Sequence, residues 1–286
     1  NGATDVLLCP GNSAIGKQSR NIKAVYGELA VPVFKGFDLQ LALRHDRYSD
    51  VGSTTNPKIA FRFQPNDMVL LRGSVNTGFK APSFQQLAPN TAPLLDTSDW
   101  RDPELCPTVN AGNANCTRRL DYIVTGNPKL KPEKSTQGTI GIVVSPLRDL
   151  SFYADYWRVD LDDRLRKLTL SEVKNNYDLF KDRFARDSTG RVALVTTGWE
   201  NAADSSTKGL DWGGSYLFKH SSGTWRASVN GTYMISHKER ALENQPLQEL
   251  VGQFALRTLY LRNKLSADIG WARDNWATTL TTIYKS

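Results

Sequence analysis

This chain of 286 residues contains no window of eighteen consecutive apolar residues, so no helix within it is long and greasy enough to cross a membrane. Histidine and cysteine are scarce, three of each, and His45, His220 and His237 are scattered with no spacing that suits a zinc site. No Gly-x-Ser-x-Gly or equivalent nucleophile motif occurs. We therefore expect no catalytic residues, no resident metal and no cofactor, and read the chain as a non-enzyme. An initiating Met and an apolar leader are also missing, since the sequence opens Asn1-Gly2-Ala3-Thr4-Asp5, and the expectation is a piece of a longer polypeptide. The formal charge is +7, but Lys and Arg form no clustered stripe, which argues against nucleic acid as a partner.

What the sequence does have is alternation. Phe37, Leu39, Leu41 and Leu43 fall on one side of an extended chain, while Asp38, Gln40, Arg44 and Asp46 fall on the other. Val69, Leu71, Gly73 and Val75 oppose Arg72, Ser74 and Asn76. Trp225, Ala227, Val229 and Gly231 oppose Arg226, Ser228 and Asn230 in the same way. Ten such strands are expected at about 22–32, 36–48, 57–64, 68–77, 134–145, 149–160, 207–218, 224–235, 262–272 and 275–285. Their connectors alternate between tight turns rich in Pro, Gly, Asn, Asp or Ser and long polar links, the latter at 49–56, 78–133, 162–207 and 237–261. Ten tilted residues span roughly 25 Å, the apolar height of an outer-membrane wall. The fold class this predicts is all-β: an antiparallel transmembrane β-barrel with short periplasmic turns and long extracellular loops. A soluble extracellular β-protein, such as an adhesin or glycan-binding module, is the alternative from another class. Aromatics near strand ends, including Tyr26, Phe37, Phe218, Trp157, Trp271 and Trp276, are candidates for interfacial girdles.

Two local features stand out in the long links. Cys106 and Cys116 lie close enough to close a small ring, a crosslink contributing about 2–3 kcal/mol and pointing to an oxidising compartment, with Cys9 left over and other pairings open. Leu170, Val173, Tyr177, Phe180 and Phe184 are spaced three and four apart behind a Thr169/Glu172 capping box, which predicts one short surface helix. The stretch 190–196 is β-rich and reads as a small hairpin. Two carboxylate runs, Asp160/Asp162/Asp163 and Asp96/Asp99/Asp102/Glu104, read as solvated loop acid rather than calcium ligands.

Three motifs go beyond patterning. A strand runs out through Asn76-Thr-Gly-Phe-Lys-Ala-Pro-Ser-Phe84, and the segment Gly126-Asn-Pro-Lys-Leu-Lys-Pro-Glu-Lys-Ser135 delivers the chain into the next strand. A third segment, Asn201 to Asp211, re-enters the sheet through Lys208-Gly209. In this order and spacing they resemble the barrel of TonB-dependent outer-membrane receptors, over about residues 25–284. The resemblance implies a 22-stranded barrel, of which residues 1–286 would be a partial domain without the plug that fills the lumen. It also implies residence in the outer membrane of a Gram-negative bacterium, against outer-membrane lipid and lipopolysaccharide. Active import driven through the TonB complex would follow, with a scarce substrate such as a ferric siderophore, cobalamin, oligosaccharide or peptide. A passive porin-like channel would keep the barrel without the energy coupling.

Site residues follow from position. The tip of the longest link, Asp99, Trp100, Arg101 and Asp102, is expected to touch substrate, because Trp offers stacking area and Arg forked donors. By strand parity Arg44, Asp46, Arg72, Asn76, Asp155, Asp211, Arg226 and Asn230 are expected to share one face and look into the lumen at the plug.

Overall fold

The computed structural model describes residues 19–88, 93–106, 116–242, 244–255 and 258–286. Ten long strands run in chain order, each antiparallel to the next: β1 (Ile22–Phe34), β2 (Phe37–Tyr48), β3 (Gly52–Asn66), β4 (Val69–Lys80), β5 (Glu133–Leu147), β6 (Leu150–Lys167), β7 (Val192–His220), β8 (Gly223–Arg240), β9 (Asn263–Arg273) and β10 (Trp276–Lys285). All ten expected strands are present. Several extend further than alternation predicts. Residues 52–56, expected as part of a long link, belong to β3, so Ser49–Val51 is a tight turn. β7 begins fifteen residues before the expected start. The added stretch of β3, Gly52–Asn56, is polar on both faces, as a strand needs where no apolar solvent lies beside it, whereas that of β7 opens on Val192 and Val195, which are buried.

The chain divides into two compact units. The sheet unit holds 21–80, 133–164 and 202–286. Its register joins Leu41 to Ile59, Ile59 to Val75, Leu71 to Ile142 and Ile142 to Ala154, so the apolar side chains of successive strands fall on one face. That face lies open: Val25, Ile59, Val75, Ile140, Ile269 and Leu280 are all more than half exposed. Near the tight turns it carries two aromatic clusters. Phe34, Phe37, Phe61 and Phe63 form one, and Tyr216, Phe218, Trp225 and Trp271 the other. Tyr26 and Trp157, expected in the girdles, lie instead on the polar face, where Tyr26 pairs with Arg44 and Trp157 with Thr139. Parity outweighs aromatic character here.

The loop unit holds the remaining segments, 81–132 and 165–201 with Arg20. A short strand at Asp121–Thr125 lies antiparallel to Pro93–Leu95 and parallel to 195–198, and Phe184–Arg186 pairs with 192–195, so the stretch expected to be a hairpin by itself supplies only the second arm of one. The expected helix forms only as Leu170–Asn175, with its Thr169/Glu172 capping box. Two 3-10 turns, Tyr177–Leu179 and Lys181–Arg183, carry the pattern on. A 3-10 turn repeats every three residues, so it buries Val173, Tyr177, Phe180 and Phe184 without a continuous α-helix. Those side chains join Leu120, Leu168, Val192 and Val195 in a closed core.

Candidate functional site

On the sheet unit, all eight residues expected on one face are there. Register puts Arg44 opposite Asn56, and Asn76 opposite Lys58 and Gln137. Arg72 lies opposite Arg62 and Gly141, Gly141 opposite Asp155, Asp211 opposite Thr232, and Arg226 opposite Leu217. The face is laced by short polar contacts. Arg44 grips the buried Asp46 with Nε and Nη2 at 2.8 and 2.7 Å. Tyr153 donates to Asn230 at 3.1 Å, and Thr232 donates to Asp211 at 2.7 Å. Arg72 donates through Nε and Nη2 to the two Asp155 oxygens at 2.8 and 2.6 Å across the intervening strand β5. Gly141 sits between them, and a Cβ there would lie 1.9 Å from Asp155 Oδ1, so the fork can close only over a glycine. A cavity of about 420 Å³ opens on this face among Tyr153, Asp155, Asp211, Asn230 and Lys264.

In the loop unit the expected substrate tip has two kinds of residue. Asp99 is exposed and 3.5 Å from Arg119. Trp100 and Asp102 are not at the surface. Trp100 is stacked on Phe184 at 5.2 Å and packed against Tyr177 at 5.8 Å, and Asp102 is 2% exposed. Arg186 forks onto Asp102 at 2.7 and 3.0 Å and also donates to Tyr177 Oη and Gly190 O, while Asp102 accepts the backbone N–H groups of Glu104 and Leu105. Burial alone would raise the Asp102 carboxyl. Arg186 and the two N–H donors outweigh it and hold the group below the usual carboxylate range. Asp96 is likewise lowered against its burial by Lys174, 2.6 Å away, and Glu172 by the Thr169 N–H and Arg166. Cys106 and Cys116 are disulfide-bonded, with Cα atoms 5.7 Å apart, and Cys9 lies outside the described residues.

Arg186, Lys174 and Arg183, which pairs with Glu200, escaped sequence reasoning. Their partners lie 84, 78 and 17 residues away, and no local pattern announces them. Among the described residues no three His, Cys, Asp or Glu side chains converge as a metal site requires. The two carboxylate runs are instead largely neutralised by cations, as in Arg158–Asp160, Arg186–Asp102 and Arg186–Glu104. The loop unit has a cavity of about 330 Å³ lined by Thr125, Lys129, Arg183, Trp199 and Glu200.

A sheet with one open apolar face, one ion-paired polar face and tight turns along one end agrees with what a comparison of sequences finds: the family model described as "TonB dependent receptor-like, beta-barrel" matches residues 2–284. The chain belongs to that family. This TonB-dependent receptor barrel is a stretch of wall from the outer membrane of a Gram-negative cell. It is 26% identical over 245 residues to the probable TonB-dependent siderophore receptor PirA of Acinetobacter baumannii, covering 85% of this chain and 29% of that one. Among solved structures it resembles a variant of the ferric enterobactin receptor PfeA of Pseudomonas aeruginosa in complex with enterobactin. The TM-score is 0.64 at 22% identity, over 92% of this chain and 32% of that one. It also resembles the crystal structure of PirA from Acinetobacter baumannii, with a TM-score of 0.61 at 21% identity, over 94% of this chain and 34% of that one. The chain thus spans about a third of the length of these relatives. The structural likenesses establish the fold, an incomplete barrel of the same kind.

Proposed function

We propose that this chain is the partial barrel domain of an active importer that takes a siderophore-like ferric chelate through the outer membrane. A plug held elsewhere in the protein would fill the lumen, and a TonB complex would supply energy. The observation that carries this reading is the two-faced sheet: apolar side chains exposed on one side, and on the other a ladder of Arg–carboxylate pairs suited to a polar, occupied bore. The plug would complete the hydrogen bonding of the polar-face residues, among them Arg226, Asp211 and Asn76. In the loop unit we read the exposed Asp99 as the member of the tip that would meet substrate first, with the half-buried Arg101, whose Nη2 is enclosed and unpartnered, beside it and Trp100 and Asp102 packed inward. Two relatives, one a probable siderophore receptor and one a ferric enterobactin receptor, favour a ferric chelate over the other cargoes. Membership of a receptor family of this kind supports reading the protein as a transporter rather than an enzyme.

The test uses a deletion strain complemented with the full-length gene under iron limitation. Uptake of radiolabelled ferric siderophore that stops on adding a protonophore is the expected result. Uptake indifferent to the protonophore would make the protein a passive channel, and growth unaffected by iron limitation would exclude a ferric cargo.

A further inference from the structure

The chain that leaves β8 at Arg240 doubles back and lies along the strand it has just left. Gln248 and Glu249 pair antiparallel with Glu239 and Lys238, and the Leu250 N–H donates to the His237 carbonyl at 2.8 Å. Leu250 and Val251 of this strap are buried. Gly252 and Gln253 close it on Tyr260 through two backbone hydrogen bonds, which leaves Phe254 and Leu259 exposed at the far end. One side chain joins strap to wall. His237 lays its ring flat on Tyr260, with centroids 4.4 Å apart and planes 17° from parallel, and its Nδ1 is 2.7 Å from Thr207 Oγ1 on β7. Its backbone N–H donates to Glu249 Oε1 at 2.9 Å, while Glu249 Oε2 accepts from the Ser236 hydroxyl. That leaves Nε2, which is enclosed and makes no hydrogen bond, with Glu239 Oε2 standing 3.7 Å away.

A neutral imidazole cannot satisfy this setting. With the proton on Nδ1, the Nε2 lone pair faces a carboxylate, and with the proton on Nε2, the donor stops short of that carboxylate. Protonation makes both nitrogens donors, toward Thr207 and toward Glu239, and sets a cation against the face of the Tyr260 ring. The other charges around the ring are already engaged. Arg164 at the end of β6 holds Glu239 Oε1 at 3.0 Å, Lys238 lies on the opposite side of the strand beside Glu249, and Arg262 is turned onto Tyr233 and the Met234 carbonyl. Arg164 opposes a second cation nearby, but the Glu239 carboxylate offers one oxygen to each. We infer that His237 is a proton-operated clamp, which fixes the strap to the wall of the sheet more tightly in acid than at neutral pH. How firmly the apolar tip at Phe254 and Leu259 is held then follows the acidity of the surrounding medium. The inference rests on contacts within the sheet unit and not on the import reading, so a receptor for another cargo or a passive channel would keep the clamp.

Hydrogen exchange of full-length receptor in detergent, corrected for intrinsic rates, would be followed over 248–253 at about pH 7.5 and about pH 5.5, the interval in which an imidazole changes charge. Opening of the wild-type strap should be roughly tenfold rarer at the lower pH, as one hydrogen bond gained between charged groups implies. His237→Gln keeps both backbone bonds and a side-chain donor for Thr207 but has no proton to gain, so its strap should exchange alike at the two values. Glu239→Gln leaves the imidazole and Tyr260 in place, should remove most of the acid effect, and carries the test if the first variant fails to fold. Wild-type exchange that is unchanged or faster in acid would overturn the assignment, and so would an acid slowing that persists undiminished in either folded variant.

Discussion

The loop unit and the sheet unit answer opposite solvents. In the loop unit Leu168, Val173, Val192 and Val195 are fully buried, aromatic rings close on one another, and each buried carboxylate has its cation. This is how a water-soluble domain folds: apolar area is removed from water and charges are paired where they are desolvated. In the sheet unit the same residue types stand exposed in rows, and the charges have gathered on the other side. Such a sheet in water would be an aggregation hazard, and in lipid it is a wall. Hydrophobicity therefore means core in one unit and surface in the other. Burial tells the two apart where composition does not.

The comparison can be broken most sharply by truncation. Leu168→Ala should leave a cavity costing about 2–5 kcal/mol in the loop unit, whereas Ile140→Ala, on the open face, should cost well under half of that. Proteolytic susceptibility of full-length receptor in detergent would read both, and equal losses would contradict the division. Acid should also act on the units unequally. Asp102, Asp96 and Glu172 are held below their ordinary values, so their pairs contribute fully above about pH 4 and are lost as pH falls through the depressed values. Hydrogen exchange over 170–186, corrected for intrinsic rates, should stay slow from pH 7 to about pH 4 and accelerate below it. Asp102→Asn, which leaves Arg186 short of a buried partner, should cost about 1–3 kcal/mol and blunt that acid response. A smaller effect is expected at Gly141→Ala, where the new methyl displaces the Arg72–Asp155 fork, at about 1–2 kcal/mol in the urea midpoint of the detergent-solubilised receptor. No change there would mean the fork is not held in the assembled barrel.

Most of the wall was legible in the sequence because its signal is local. A period of two and a turn-forming tripeptide survive whatever surrounds them, and they placed all ten strands and all eight polar-face residues. The loop unit was less legible for the opposite reason. Thr169 and Glu172, three apart, announced their cap, but Trp100 and Asp102 looked like an exposed tip because their partners Phe184 and Arg186 lie more than eighty residues on. The ends of β3 at 52–56 and of β7 at 197–206 were read as link because alternation fades once a strand leaves the apolar layer, and 190–196 was read as a separate small hairpin. Tyr26 and Trp157 misled by residue type where parity was the better guide.

The central claim is that the two faces of the sheet meet different solvents, and spin labels placed one at a time at residues 139, 140, 142 and 143 of β5 in full-length receptor reconstituted into bilayers test it directly. The account predicts a period of two, with labels at 140 and 142 relaxed strongly by dissolved oxygen and those at 139 and 143 shielded from it. Uniform oxygen accessibility along the strand, or the inverse pattern, would contradict it.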